Sequence, residues 1–127
     1  MEARDLALRC RDLAENKKAE NIVVLDVSEV SSITDYFVIA TGTSEPHLRA
    51  IVDAVMTGLD EESGLTPRAT DGTLHTAWVV LDYFDVIVHV MRADVREHYA
   101  LESLWSDAPK VRARKRPAPR RKREAVS

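Results

Sequence analysis

A chain of 127 residues, 45% apolar and with a formal charge of −3, has the size of one ordinary domain of about 100 to 150 residues, which excludes two large ones. No apolar run approaches the ~20 residues that cross a bilayer, and the charged start MEARDLALRCRDLAENKK lacks the unbroken apolar segment of a secretory signal, so no membrane contact and a cytoplasmic location are expected. The charge is divided: residues 1–109 hold nine bases and twenty acids, a balance of −11, and residues 110–127 hold nine bases and one acid, a balance of +8, which describes an acidic body with a basic arm.

Ala3, Leu6, Cys10, Leu13 and Ala14 recur at three- and four-residue steps, which predicts an amphipathic helix over 3–17. Cys10 is the sole cysteine, so an internal disulfide and a cysteine-rich zinc site are excluded. Its place on the apolar face makes it a packed thiol. The β-branched run IVVLDV (22–27) reads as a buried strand, SEVSSIT (28–34) as a polar connection and DYFVIAT (35–41) as a second strand. Gly42 breaks that strand, Thr43 or Ser44 can cap the next helix, and Pro46 suits its first turn. The stripe Leu48, Ile51, Val52, Val55 and Leu59 carries this helix from about 45 to 62, and Gly64 ends it.

TPRAT (66–70) reads as a short edge strand because Pro67 cannot donate to a ladder, with a loop in DGTLHT after it. AWVVLD and DVIVHVM form a hairpin about Tyr83-Phe84. Tight two-residue turns usually recruit Gly or Asn, so a looser turn is the alternative there. One or two closing helices are expected over 93–105, with Pro109 ending the folded part. The order α, β, β, α, β, β, β, α makes an α/β domain with a mixed five-stranded sheet packed against helices over 1–109. Residues 110–127 are Pro, Ala and base, a composition that does not offset ordering entropy and predicts a disordered tail.

Chemical motifs are sparse. ATGTSEPH has one glycine and no Walker lysine, and Glu45 would repel a phosphate, so a helix cap explains it better than a nucleotide cradle. A β-β-α start with a small-residue loop resembles a metal-dependent nucleotidyltransferase, the rival reading. Such an enzyme needs two carboxylates on one strand face, and Asp26, Asp35, Asp82 and Asp85 supply no such pair. His89 shares a strand face with Ile87 and Met91 and reads as a partly buried, hydrogen-bonded imidazole. No serine or threonine sits in a nucleophile elbow. No catalytic residue, metal site or cofactor is therefore assigned.

The arm holds Arg112, Arg114, Lys115, Arg116, Arg120, Arg121, Lys122 and Arg123 and no aromatic. Bases so packed engage a polyphosphate backbone by counterion release, without sequence-specific stacking. Contact with a nucleic-acid backbone is the hypothesis for the arm; a solubilising terminus is the alternative.

Three blocks resemble the ribosomal silencing factor, or Iojap, family: VLDVSEVSSITDYFVIATGTSEPHLRAIVDAV (24–55), WVVLDYFDVIVHVM (78–91) and REHYALESLWSDAP (96–109). The resemblance implies a nucleotidyltransferase-like topology without catalysis. It also implies binding to protein fourteen of the large ribosomal subunit, steric blocking of subunit joining, repression of translation, and a homodimer when free. As docking residues it points to Trp78, Asp82 and Tyr83, with Thr41, Thr43, Ser44 and His47 from the loop. An exposed Trp and Tyr would suit the centre of an interface; Trp78 in the core is the alternative. Phe84 stands at a turn position that is often Gly in relatives.

Overall fold

Alternation and periodicity place the elements where expected in a computed structural model that describes residues 2–99 and Val111. In chain order they are α1 (Ala3–Glu15), β1 (Glu20–Asp26), β2 (Tyr36–Gly42), α2 (Glu45–Ser63), β3 (Ala69–Thr73), β4 (Trp78–Asp82), β5 (Val86–Arg92) and α3 (Ala93–Tyr99). The five strands form one sheet in the order β1-β2-β5-β4-β3. Only β2 and β5 run parallel; the other three neighbouring pairs are antiparallel. The sheet is thus mixed and five-stranded, as the element order predicts. The part of the closing helix expected beyond Tyr99, and the arm residues from Arg112 onward, lie outside the described residues.

Each strand sends alternate side chains to opposite faces. Val38, Ala40, Val79, Leu81, Val86, Val88 and Val90 point to the face covered by α1 and α2. There they meet Leu6, Cys10 and Leu13 of α1 and the fully buried row Leu48, Ile51, Val55 and Leu59 of α2. Burying a side chain of that kind stabilises by roughly 1.5–3 kcal/mol, so this layer supplies most of the cohesion. Burial also pushes the Cys10 thiol up to about 12, which leaves it an inert packing group. Leu25, Val27, Phe37, Ile39 and Met91 form a smaller cluster on the opposite face, with Val95 of α3 against it.

Two departures from the sequence reading have local causes. The strand expected at 66–70 lies at 69–73, because its ladder is registered on β4 from Ala69↔Asp82 to Thr73↔Trp78. Pro67 has no N–H to contribute, and the first donor is Arg68, whose N–H bonds the Asp82 carbonyl oxygen at 2.8 Å. Asp71-Gly72, expected in a loop, belongs to this strand. Gly72 sits at φ +74 and so close to β4 that a Cβ would stand 2.0 Å from the Trp78 carbonyl oxygen.

The hairpin tip takes the looser form. Three residues, Tyr83 to Asp85, separate β4 from β5. The Asp85 N–H bonds the Tyr83 carbonyl oxygen at 3.0 Å across Phe84 at φ +78. That is a γ-turn of the rare, strained kind. Finally, Val111 lies within the segment assigned to the arm, yet its N–H bonds the Val24 carbonyl oxygen at 2.7 Å and its side chain packs against the larger cluster. It therefore occupies the outer edge of β1.

Candidate docking surface

The side chains not turned toward α1 and α2 define the surface available for function. On β4 these are Trp78, Val80 and Asp82, all half-buried, opposite Met91, His89 and Ile87 of β5. Trp78 fixes this face. Its Nε1–H donates to His89 Nδ1 at 3.1 Å, so the His89 proton resides on Nε2. Phe37 meets the imidazole edge-on with ring centroids 5.3 Å apart. Burial lowers the His89 pKa to about 4, which keeps the ring neutral and able to accept from Trp78 at neutral pH. The polar edge of the indole is thereby satisfied inside the protein. Beside it lies a groove of about 430 Å³ lined by Asp71, Gly72, Thr76, Trp78, Val80 and Val95.

Asp82 serves the turn. Its Oδ1 accepts from the Phe84 N–H at 2.8 Å and pairs with Arg68 Nε at 3.1 Å. Tyr83 differs from the expectation of an exposed aromatic: it is only 8% exposed and sits among the residues facing α1 and α2. The reason is strand alternation, which continues from Val79 and Leu81 through Tyr83. Burial pushes its phenol upward, with Cys10 and Asp60 adding to the shift. Its hydroxyl makes no hydrogen bond with any described residue.

The loop residues divide as well. Thr41 is buried, and its Oγ1 accepts from Arg96 Nη1 at 2.6 Å, which ties α3 to the sheet. Thr43 and Ser44 are exposed, and with His47 they make a closed clasp. Ser44 Oγ accepts from the His47 N–H at 3.2 Å, and the Thr43 N–H donates to His47 Nδ1 at 2.9 Å. His47 Nε2 therefore carries the proton that reaches the Lys17 carbonyl oxygen at 2.7 Å. The clasp caps α2 and joins its start to the chain just after α1. Its members bond one another and the Lys17 carbonyl oxygen, which is the cap that the glycine-poor loop predicts.

Register shows which residues share a neighbourhood. Thr41, Met91 and Trp78 form one row across β2, β5 and β4, so Trp78 and the 43–47 loop lie at the same end of the sheet. Asp82 and Tyr83 lie at the other end, about 13 Å away along β4 at ~3.3 Å per residue. The site drawn from the sequence is therefore two regions. Among the described residues, Val30, Ile33 and Phe84 are the large apolar side chains most open to solvent, and sequence reasoning did not place them in a candidate site. Only Phe84 gave a signal, as an unusual turn residue. Among the described residues no group of three His, Cys, Asp or Glu side chains could hold a metal ion, and no helix is long and apolar enough to cross a membrane.

Against this geometry, the family model described as ribosomal silencing factor during starvation matches residues 1–127. The ribosomal silencing factor RsfS of Bacillus subtilis is 39% identical over 95 residues, covering 75% of this chain and 80% of that protein. A mouse protein named mitochondrial assembly of ribosomal large subunit protein 1 is 32% identical over 96 residues, 74% of this chain and 42% of its own length. A crystal structure of a Chromobacterium violaceum protein superposes with a TM-score of 0.79 at 32% identity, covering 84% of this chain and 88% of that one.

Proposed function

The chain belongs to the ribosomal silencing factor family, and on that premise we propose that it binds the large ribosomal subunit through protein fourteen of that subunit. Standing there, it obstructs joining of the small subunit and so represses translation in the cytoplasm. Such a task needs adhesion and bulk, with no reactive group. The observation that carries the reading is Trp78, half-buried beside an open groove with its N–H already bonded to His89. An aromatic face whose polar edge is satisfied within its own fold binds a partner without leaving a donor stranded.

Trp78 is proposed as the central anchor, Asp82 as a carboxylate at the far end of the face, and Thr43, Ser44 and His47 as its polar margin. Buried Thr41 and Tyr83 act by holding these elements in place. The acidic body, −11 over residues 1–109, complements a basic ribosomal protein and speeds encounter with it. The mouse relative is named for assembly of the large ribosomal subunit, which supports that partner. The arm from Arg112 to Arg123 is proposed to touch ribosomal RNA, and the free chain to pair with a second copy.

Subunit reassociation tests the function directly. Added protein should reduce joined particles, and Trp78→Ala should weaken the effect about tenfold or more, as for an interface anchor. Undiminished joining at saturating wild-type protein would sink the reading. Cutting after Val111 should lower affinity and flatten its salt dependence. Titration with nucleoside triphosphate and Mg²⁺ should give no binding heat; a stoichiometric signal would favour the nucleotidyltransferase-like enzyme instead.

A further inference from the structure

Val30, Ile33 and Phe84 are 52%, 68% and 59% exposed, the three large apolar side chains left most open among the described residues. They come from two loops far apart in sequence, and the topology brings those loops to one end of the sheet. The 27–35 connection joins the end of β1 to the start of β2, and the Tyr83–Asp85 turn joins the end of β4 to the start of β5. Hydrogen bonds fasten them: the Asp35 and Tyr36 N–H groups both bond the Asp85 carbonyl oxygen at 3.1 Å. Ile33 lies two residues from one side of that junction, and Phe84 lies one residue from the other.

Phe84 holds its place at a cost. A bulky residue at φ +78 is a true outlier, strained, and persists where its surroundings impose it. Here Asp82 bonds its N–H, and the Arg68 guanidinium stands 4.7 Å from the centre of its ring. Glycine would fit the turn with less strain and leave no ring in solvent. The same end of the sheet carries Asp26, Glu29, Asp35, Asp82 and Asp85, against Arg68 and Arg4, which lies near Tyr36. This acidic excess repels a phosphate backbone and favours a cationic protein surface.

We propose that this pole, with Phe84 and Ile33 as its knobs, is a second docking contact that takes a basic protein surface of the large ribosomal subunit. The proposal rests on the ribosomal reading above and adds a contact distinct from the Trp78 end of the sheet. Rich in carboxylates, the pole is poorly matched to a second copy of itself. Nor does it match RNA.

Co-sedimentation of the full-length chain with purified large subunits tests it. Phe84→Gly removes the ring and relieves the turn, so its melting temperature should rise while its affinity falls. Combined with Ile33→Ser, the loss of affinity should reach about tenfold, the scale of an interface anchor. Glu29→Lys with Asp35→Lys should weaken binding further. If wild-type protein sediments with the subunits and the Phe84→Gly, Ile33→Ser variant does so equally, the pole is refuted and the ribosomal reading stands. If the wild type fails to sediment, both fall. Tighter binding by the lysine variant would mean that the pole faces RNA, and would overturn the assignment.

Discussion

Acidification should destabilise this protein through one imidazole. His89 is 8% exposed and has a pKa lowered to about 4 by burial, against 6.5 in an open chain. Between those values the unfolded chain binds a proton that the folded one refuses, so stability is complete above about pH 6.5 and is lost as pH falls toward 4. At about 1.36 kcal/mol per pH unit, the full interval is worth about 3 kcal/mol, and some 2 kcal/mol is gone by about pH 5. Against a total of about 5–15 kcal/mol that loss is readily measured. Urea unfolding followed by circular dichroism, at steps from about pH 7.5 to about pH 5, gives the curve. Carboxylates titrate at the lower end, so the informative quantity is the difference between wild type and His89→Gln, whose amide oxygen can still accept from Trp78. The wild type should lose about 2 kcal/mol more than the variant over that range. Parallel curves would refute the assignment of a neutral, buried His89.

Three substitutions probe the packing. Tyr83→Phe removes a buried hydroxyl that makes no hydrogen bond with a described residue, so thermal unfolding should show a neutral to stabilising change, within about 1 kcal/mol. A loss above ~2 kcal/mol would reveal a partner for that hydroxyl. Thr41→Val takes an acceptor from the Arg96 guanidinium and should cost ~1–3 kcal/mol; proteolysis within α3 should accelerate as the helix loosens. Gly72→Ala drives a Cβ toward the Trp78 carbonyl oxygen and should cost several times the ~1 kcal/mol that a Gly-to-Ala change contributes at a compatible site. Chemical denaturation would show it, and an unchanged midpoint would contradict the β3–β4 register.

Much of the fold was legible because the informative signals are periodic. Leu48, Ile51, Val55 and Leu59 mark α2, with Ser44 and Gly64 at its ends, and the alternation in WVVLD and VIVHVMR marks the central hairpin. β3 was harder, since its five residues are all exposed and only the backbone of β4 sets its position. Tyr83 was readable in principle: Val79 and Leu81 face the helices, and the same two-residue step carries Tyr83 inward. Reading it as a free turn residue stopped the alternation one position early. Thr41 and Arg96 meet across 55 residues, and His47 and Lys17 across 30, pairings that no local pattern announces. Val30 and Ile33 were obscured by the polar run around them, and their placement at the same end of the sheet as Phe84 depends on two loops closing there. The sequence thus offered a set of candidate docking residues, and their division between two ends of the sheet emerged only from the register.

The seat of Val111 on β1 has a consequence for the margin of the sheet. β1 is the first strand in the order β1-β2-β5-β4-β3, so its outer side has no neighbouring strand among the described residues, and unpaired backbone groups there are a template for pairing with another chain. The Val111 N–H takes the Val24 carbonyl oxygen at 2.7 Å, which leaves one acceptor fewer for an incoming strand midway along that side.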